Sequence, residues 1–366
     1  FSEEGVQEVS NGSFSQEGSE QVTNDDFSDG TNDWLSNGTL TASNNIANIT
    51  TAVQGVVYIR QNSVYEFGKS YKLTFTAKVD NLTEFELYVG STNAYIATGI
   101  IPTQTTNFQE YTFYFQADNA GGMNLLLRQV MAANSSIEYS EISVKEVGQD
   151  WTFGTGWSIG DDKVISDGSA SNLDQSGTFL SGKTYKVVYD VLDYVSGDIR
   201  FRFTGTSNEN GTLRNANGTY TEYIKLANNQ ELLRFPSSSF NGSISNISVK
   251  EVGQNWSLGT GWSIGENKAI NDGTINSIYT ILAQKAIEQG KKYVCKVDIT
   301  FQGAGVAYWR LGNATNLGVM SVDGTITQTL TGSANGNYIG IFTNTAITIT
   351  NISVIEITDD TNLPRI

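Results

Sequence analysis

Alternation of apolar and polar residues is the clearest pattern in this sequence. It is strict over residues 71–80 and recurs over residues 185–191 and 293–299. Successive side chains of a strand point to opposite sides, so a period of two predicts a half-buried antiparallel strand at each place. The inward positions are Tyr71, Leu73, Phe75, Ala77 and Val79 in the first segment, Tyr185, Val187, Tyr189 and Val191 in the second, and Tyr293, Cys295, Val297 and Ile299 in the third.

A second alternating segment follows each of these strands. Its inward positions are Phe85, Leu87 and Val89, then Ile199, Phe201 and Phe203, then Ala307, Trp309 and Leu311. Further short strands are predicted over residues 111–115, 220–226, 326–330 and 338–342. Short strands separated by Asn-rich and Gly-rich turns indicate an all-β sandwich or barrel. Residues 282–288 alone favour a helix, and that stretch is too short to change the fold class.

Long internal repeats divide the chain into domains. The segment Ile-Ser-Val-Lys-Glu-Val at residues 142–147 recurs at residues 247–252, and Ile-Ser-Val occurs again at residues 352–354, a spacing of 105 residues each time. Gly-Thr-Gly-Trp-Ser-Ile-Gly at residues 154–160 recurs at residues 259–265, and Gly-Lys-x-Tyr occurs at residues 68–71, 182–185 and 290–293. This period is too long for a solenoid, so each unit needs its own core.

The repeats predict three homologous domains at residues 22–148, 149–253 and 254–360. Their junctions are too short to act as flexible tethers, so the domains are expected to form a semi-rigid row. Residues 1–21 are interpreted as the end of an upstream unit. They contain a shorter echo, because residues 9–15 (Val-Ser-Asn-Gly-Ser-Phe-Ser) are similar to residues 22–28 (Val-Thr-Asn-Asp-Asp-Phe-Ser).

These motifs together resemble tandem carbohydrate-binding-module-like jelly-roll domains of bacteriophage tail-fibre and head-fibre proteins. The resemblance rests on the start at residues 22–28, the repeated Gly-Thr-Gly-Trp-Ser-Ile, the central Gly-Lys-x-Tyr, the closing Ile-Ser-Val and the last residues, 360–366. It implies three tandem β-sandwich jelly rolls, with residues 361–366 as a linker to a further domain. It also implies a virion-surface or extracellular location. The implied partners are other virion proteins, further copies of the chain as a homo-oligomer such as a trimer, and a host-cell glycan.

Composition excludes several kinds of chemistry. The 366 residues include no His and one Cys, which excludes histidine-based nucleophilic triads, thiolate metal clusters and intrachain disulfides. Lys and Arg number 22 against 38 Asp and Glu, a formal net charge of -16, which disfavours nucleic acid as a partner. The sequence has no apolar run long enough to span a bilayer, so membrane insertion is not expected.

No metal or other cofactor is expected. The resemblance implies a structural calcium ion held by an acidic residue near the start of a domain and by an Asp before its closing strand. Asp26 matches the first position in the first domain only. The second position holds Ser140-Glu141, Ser245-Asn246 or Thr350-Asn351, so the expected Asp is missing from all three domains.

A pair of carboxylates could cleave glycosides without histidine. The candidates in the second domain are Asp161, Asp162, Asp190, Asp193 and Asp198, but no equivalent acids recur in the other two domains. Most of them fall in turns or on polar strand faces, where a solvated carboxylate needs no special explanation. The prediction is therefore a protein that is not an enzyme.

The polar face of the second alternating segment is the candidate carbohydrate-binding surface. It carries Glu86 and Tyr88, Arg200 and Arg202, and Tyr308 and Arg310 at equivalent places of the three domains. Tyr and Arg supply stacking area and planar hydrogen-bond donors. An ordinary solvated or subunit-facing sheet is the alternative and the more usual one. Trp157 and Trp262 are interpreted as structural rather than sugar-stacking residues, and Cys295 as a small buried hydrophobe.

These observations favour a non-enzymatic structural and adhesive component of a phage fibre or virion appendage. It would space or present host-receptor binding and make weak glycan contacts of its own. The alternative is a secreted bacterial adhesin, or the carbohydrate-binding region of a polysaccharide-degrading enzyme.

Overall fold

The computed structural model describes residues 1, 3–89, 95–98, 102, 104–117, 124–274, 280–285, 287–312, 317–333 and 337–358. Within these ranges the regular structure consists of β-strands, and the protein is all-β as the sequence predicted. The described residues contain no helix long and apolar enough to cross a membrane.

The strands are numbered in chain order. The N-terminal segment contributes β1 (Glu4–Gln7) and β2 (Glu17–Glu20). The first domain contains β3 (Leu35–Ser36), β4 (Thr39–Ser43), β5 (Ile46–Thr51), β6 (Gly55–Gln61), β7 (Ser70–Val89), β8 (Tyr95–Thr98), β9 (Gln109–Gln116) and β10 (Leu125–Val147). The second contains β11 (Thr152–Phe153), β12 (Trp157–Gly160), β13 (Lys163–Asp167), β14 (Ser171–Phe179), β15 (Thr184–Ser196), β16 (Arg202–Gly205), β17 (Glu209–Asn210), β18 (Gly218–Lys225), β19 (Gln230–Ser237) and β20 (Asn241–Val252). The third contains β21 (Ser257–Leu258), β22 (Trp262–Gly265), β23 (Lys268–Asn271), β24 (Thr280–Lys285), β25 (Lys292–Phe301), β26 (Ala307–Leu311), β27 (Leu317–Met320), β28 (Gly324–Thr331), β29 (Tyr338–Thr343) and β30 (Ile347–Glu356).

Each domain is a jelly-roll sandwich of two antiparallel sheets. In the second domain, the closing sheet has the order β12-β13-β20-β15-β18 and the opposite sheet the order β11-β14-β19-β16-β17. The third domain repeats this arrangement as β22-β23-β30-β25-β28 and β21-β24-β29-β26-β27. In the first domain, the long strands β7 and β10 run through both layers. There the closing sheet is β4-β5-β10-β7-β9 and the opposite sheet is β3-β6-β10-β7-β8.

The predicted inward residues form the cores between these sheets. All the described ones are buried, including Leu73, Val187 and Cys295 at equivalent positions of the three domains. The side chain of Val89 lies outside the described residues. Three separate clusters of buried hydrophobic side chains lie within the described ranges, one in each sandwich. Alternation therefore identified the core strands, because one face of each must leave water.

The helical interpretation of residues 282–288 is wrong. Residues 280–285 form strand β24, in which Leu282 pairs with Ile341 of β29 and is completely buried. Pairing with a neighbouring strand outweighs the weak local helix preference.

Neighbouring domains touch through equivalent tyrosines. Tyr114 of β9 packs on the second core cluster and lies next to Gly160, while Tyr223 of β18 packs on the third cluster. The Lys225 ammonium also donates a hydrogen bond to the carbonyl oxygen of Trp262, at 3.3 Å. These contacts are consistent with short junctions that limit independent motion of the domains.

Candidate functional site

The N-terminal segment lies along the domains and adds a strand to two of them. We call residues 1–28 the N-terminal arm. Strand β1 pairs antiparallel with β20, the closing strand of the second domain, and β2 pairs with β10, the closing strand of the first. The paired residues are Glu4 with Val252, Gln7 with Lys250, Glu17 with Val147 and Glu20 with Lys145. Residues 1–21, which the sequence suggested were the end of an upstream unit, are thus in contact with the domains that follow.

Backbone hydrogen bonds continue beyond these short strands. The N–H of Glu8 donates to the carbonyl of Val249 at 2.8 Å, and the N–H of Ile247 donates to the carbonyl of Gly12 at 2.9 Å. The first domain has equivalent bonds, from Gln21 to Val144 and from Ile142 to Asp25. The arm therefore satisfies backbone groups of each closing strand that would otherwise form an open edge.

A 13-residue repeat within the arm explains this equivalence. Phe1, Phe14 and Phe27 each begin a copy, and each packs against a tryptophan of a different domain. The ring centroids lie 5.2 Å apart for Phe1 and Trp256, 5.2 Å for Phe14 and Trp151, and 5.5 Å for Phe27 and Trp34. Successive copies thus meet the third, second and first domains in that order.

A tight turn directs Phe14 and Phe27 into their domain cores. The N–H of Phe14 donates to the carbonyl of Asn11, and the N–H of Phe27 donates to the carbonyl of Asn24. All four residues have positive φ angles, between 45° and 58°. Asn tolerates this left-handed conformation, whereas Phe adopts it at a cost. Phe14 and Phe27 are each only 2% exposed, so core burial offsets that cost.

Buried glutamines of the opposite sheet hold the arm before each turn. Gln175 accepts a hydrogen bond from the N–H of Ser10 at 2.8 Å and donates one to its carbonyl at 2.9 Å. Gln61 makes the same pair of bonds to Thr23, both at 2.9 Å. Each glutamine amide thereby bonds both backbone groups of one arm residue, as a neighbouring strand would. Neither glutamine was identified from the sequence.

Acidic arm residues face pairs of lysines. Glu4 forms ion pairs with Lys186 and Lys250, at 2.6 and 2.9 Å. Glu17 has the equivalent partners Lys72 and Lys145, at 2.7 and 3.1 Å. Hydrogen bonds from the lysines lower the pKa of both carboxyl groups.

Three of the predicted carbohydrate-binding residues, Arg202, Tyr308 and Arg310, lie in strands of the opposite sheets, on the side away from the core, whereas Arg200 precedes β16 and lies outside the strand. Arg202 pairs with Arg234 and Arg310 pairs with Gly340, at equivalent places of the second and third domains. Tyr88 takes the same place in β7 of the first domain, but its side chain lies outside the described residues. Each domain contributes its own face, so these residues do not form one combined site.

In the second domain, this face is a polar row across four strands. Asp174 accepts two hydrogen bonds from the guanidinium of Arg234, at 2.8 and 2.7 Å, and the Nε of Arg202 donates to the amide oxygen of Asn210 at 2.8 Å. Burial lowers the pKa of Arg202, and the neighbouring charges of Arg200 and Arg234 lower it further. The second face therefore carries an excess of positive charge.

In the third domain, the same face is aromatic. Tyr308 pairs with Phe342 across β26 and β29, and the guanidinium carbon of Arg310 lies 4.3 Å from the centroid of the Phe342 ring. Gly340, opposite Arg310, leaves backbone rather than a side chain beside the stack. Val319, which pairs with Tyr308, is 56% exposed. Phe342 itself is only 9% exposed, so the accessible surface here consists of Tyr308, Val319 and the hydrogen-bond donors of Arg310.

The first domain carries a third version of the face. Arg128 forms an ion pair with Glu86 across β10 and β7, and Tyr58 pairs with Arg128 from β6. The guanidinium of Arg60 lies 5.9 Å from the Tyr58 ring centroid. Glu86 partly neutralises Arg128 here, as Asp174 partly neutralises Arg234 in the second domain, where Arg200 and Arg202 add further positive charge.

Two of the five candidate catalytic carboxylates, Asp190 and Asp193, have structural partners. Asp190 accepts hydrogen bonds from Thr219 and Asn246, at 2.5 and 2.6 Å. Asp193 is paired with Lys163, and that contact lowers its pKa. A general acid needs a raised pKa, so Asp193 is shifted in the opposite direction. That the protein is not an enzyme stays a prediction.

The calcium site implied by the resemblance does not fit these residues. The Asp26 carboxylate accepts a hydrogen bond from the N–H of Ser28 at 3.0 Å, and hydrogen bonds from Ser28 lower its pKa. Within the described ranges, no group of three or more Asp, Glu, His or Cys side chains could hold a metal ion.

The structural interpretation of the repeated tryptophans is confirmed. Trp157 and Trp262 are 3% and 1% exposed, so they cannot stack on a sugar at the surface. Cys295 is also fully buried, as the sequence predicted.

Comparisons with known proteins show distant likeness in fold. No protein-family model and no curated protein matches the sequence. Among solved structures, the tandem CBM22-1–CBM22-2 domain of Paenibacillus barcinonensis Xyn10C is 9% identical, covers 65% of this chain and 99% of its own, and has a TM-score of 0.30. A structure of Sulfolobus Turreted Icosahedral Virus is 13% identical, covers 88% of this chain and 89% of its own, and has a TM-score of 0.22. Such scores carry no argument about function.

Proposed function

We propose that this protein is a non-enzymatic structural and adhesive component of a virion surface appendage, such as a phage fibre. The observation that supports this proposal is the N-terminal arm, which contacts three successive sandwich domains. The arm pairs with the closing strands of two domains and places Phe1 on the third. Separating neighbouring domains therefore requires breaking both their direct contacts and the contacts that the arm makes with them. A row held together in this way suits a spacer that transmits force.

The experiment is force spectroscopy on the intact chain and on a Phe14→Ala variant. Val6→Ala is the matched control, because Val6 lies on the same arm and is 77% exposed. We expect the second domain to unfold at a lower force in the Phe14 variant only. Equal unfolding forces in all three proteins would contradict the role of the arm in stiffening the row.

We further propose that the opposite-sheet faces make weak glycan contacts. The third face supports this most directly, since the Tyr308 ring and the exposed Val319 lie beside the planar donors of Arg310. The positively charged second face suits acidic sugars. Several weak sites in one row can raise avidity by about 10²–10⁴ over a single site. The same surface would serve a secreted adhesin or an enzyme's carbohydrate-binding region.

A glycan array tests this part independently. Wild-type protein is compared with a Tyr308→Ala/Arg310→Ala variant and an Arg200→Ala/Arg202→Ala variant. Thr327→Ala/Thr329→Ala is the control, because these exposed residues lie on the closing sheet of the third domain. We expect binding to fall by about tenfold or more in a face variant and to persist in the control. No glycan binding by wild-type protein would remove the adhesive role and leave the spacer role.

A further inference from the structure

The third domain presents the same groove as the other two, but without its strand. On the side of β30 that faces away from β25, no strand pairs with residues 352–356 in the part of the chain that the structure describes. The equivalent parts of β10 and β20 hold residues 17–25 and 4–12 of the arm. Among the described residues, the third closing strand is therefore an open edge beside an apolar groove.

Burial shows that the groove is uncovered. Ile142 and Ile247, which lie under the arm, are 0% and 2% exposed, whereas the equivalent Ile352 is only partly buried. Val354 differs in the same way from Val144 and Val249. Ile357, at the end of the edge, is 41% exposed. Apolar side chains in a row at a strand edge favour the addition of another strand.

The polar groups that hold the arm are also present. Gln284 stands in β24 where Gln175 stands in β14, as the pairing of Leu282 with Ile341 and of Leu173 with Phe235 establishes. Gln284 is partly exposed, and among the described residues its side-chain amide has no hydrogen-bond partner, whereas Gln175 is 4% exposed and bonded to the arm.

Trp256, the tryptophan of this groove, likewise lacks, among the described residues, the arm hydrogen-bond partner that its equivalents have. The indole N–H of Trp151 donates to the carbonyls of Ser10 and Asn11, at 3.1 and 3.2 Å, and that of Trp34 donates to the carbonyl of Asn24. Trp256 contacts Phe1, but within the described ranges no arm carbonyl lies at its indole N–H.

We propose that this groove is a binding site for one further strand of the arm pattern, Val-x-Asn-x-x, in the register whose last residue adjoins Phe1. Phe1 already occupies the phenylalanine position of the third domain, so it fixes both the direction and the register of the strand. In that register, the Val enters the core, the next residue meets Gln284, and the Asn carbonyl meets the indole of Trp256.

One position of the strand differs from the existing copies. Glu17 and Glu4 face Lys72 with Lys145 and Lys186 with Lys250, but the third domain has Val294 and Ile355 at these places. Ile355 is 63% exposed. The site therefore selects an apolar residue ten positions before Phe1, where the other copies have Glu.

The test is a ten-residue extension, Val-Gly-Val-Gln-Glu-Val-Ser-Asn-Gly-Ser, fused directly before Phe1 of the full chain. It copies residues 4–13 with the first Glu replaced by Val. We expect amide exchange at Ile352 to slow by about tenfold or more and the Trp256 indole resonance to shift, with exchange at Ile247 unchanged. A control extension replaces the Val and Asn of Val-Ser-Asn by Asp and Ala and should protect nothing.

A substitution in the groove provides a second test. Gln284→Ala should abolish the protection in the extended chain while leaving exchange in the unextended chain as it was. The proposal would be overturned if exchange at Ile352 were unaffected, if both extensions protected it equally, or if the extended chain became a dimer in light scattering, because the strand would then be donated between copies.

Discussion

The ring of Phe14 packs against the indole of Trp151, with their centroids 5.2 Å apart. Phe14 precedes the whole first domain, whereas Trp151 follows it. This contact therefore connects the second domain to a segment that precedes the first domain in the sequence. The first domain is held within a closed loop of chain whose two ends meet in the core of its neighbour.

The energetic weight of this contact gives the first prediction. Phe14→Ala should destabilise the second domain by about 3–5 kcal/mol, because it removes a buried aromatic ring. Ala also carries a Cβ and is strained at the positive φ angle of this position, so the substitution gives no relief there. Native-state hydrogen exchange at Val187 measures the change. Exchange at Leu73 of the first domain is the internal reference and should not change.

The arm carboxylates predict a dependence on pH. The folded-state pKa of Glu17 is lowered by Lys72 and Lys145, so its stabilising contribution is present above the unfolded pKa, about 4.3. That contribution is lost as the pH falls through the folded-state pKa. Glu17→Gln should therefore cost about 0.2–1 kcal/mol for each ion pair at pH 7 and almost nothing near pH 2.

Denaturant unfolding of both proteins across this pH range measures the difference. High salt at pH 7 should also reduce it, because these side chains are partly solvated. A difference that stayed constant with pH would mean that Glu17 acts through packing rather than charge.

The domain contacts give a third prediction. Tyr223→Ala should widen the range of angles between the second and third domains, because Tyr223 packs on the third core cluster. Thr329→Ala is the matched control, since Thr329 takes the place of Tyr223 in the third domain and is exposed. Small-angle scattering compares the two variants, and equal profiles would argue against a role for this tyrosine.

The single cysteine gives a fourth prediction. Burial raises the pKa of the Cys295 thiol to about 11, so the thiolate is scarce at pH 8. The folded protein should react with a thiol reagent only as fast as the third domain unfolds, and denatured protein should react at once. Rapid reaction of the folded protein would show that the core around Cys295 is open.

The sequence predicted the sandwich strands because burial of one face of a strand leaves a local pattern. Leu73, Val187 and Cys295 were placed in the cores from alternation alone. The equivalence of Arg202 and Arg310 was likewise visible, since repeats preserve register. Whether these residues bind sugar stays a prediction.

The arm could not be placed from the sequence. Its echo at residues 9–15 and 22–28 was visible, but the partners of Ser10 and Gly12 are Gln175 and Ile247, far along the chain. Strand addition of this kind uses mainly backbone groups, which carry no sequence signal. Gln61 and Gln175 were overlooked for a different reason, because a glutamine within a strand looks like an ordinary polar residue.

If the arm completes the second domain, removing residues 1–13 should expose backbone groups of β20, and hydrogen exchange on the shortened chain measures this. The N–H of Ile247 donates to Gly12 and that of Val249 to the Gln7 side chain, whereas the N–H groups of Ile142 and Val144 donate to Asp25 and Glu20. We expect faster exchange at Ile247 and Val249 and unchanged exchange at Ile142 and Val144. Unchanged exchange at all four amides would contradict an arm that completes the second domain.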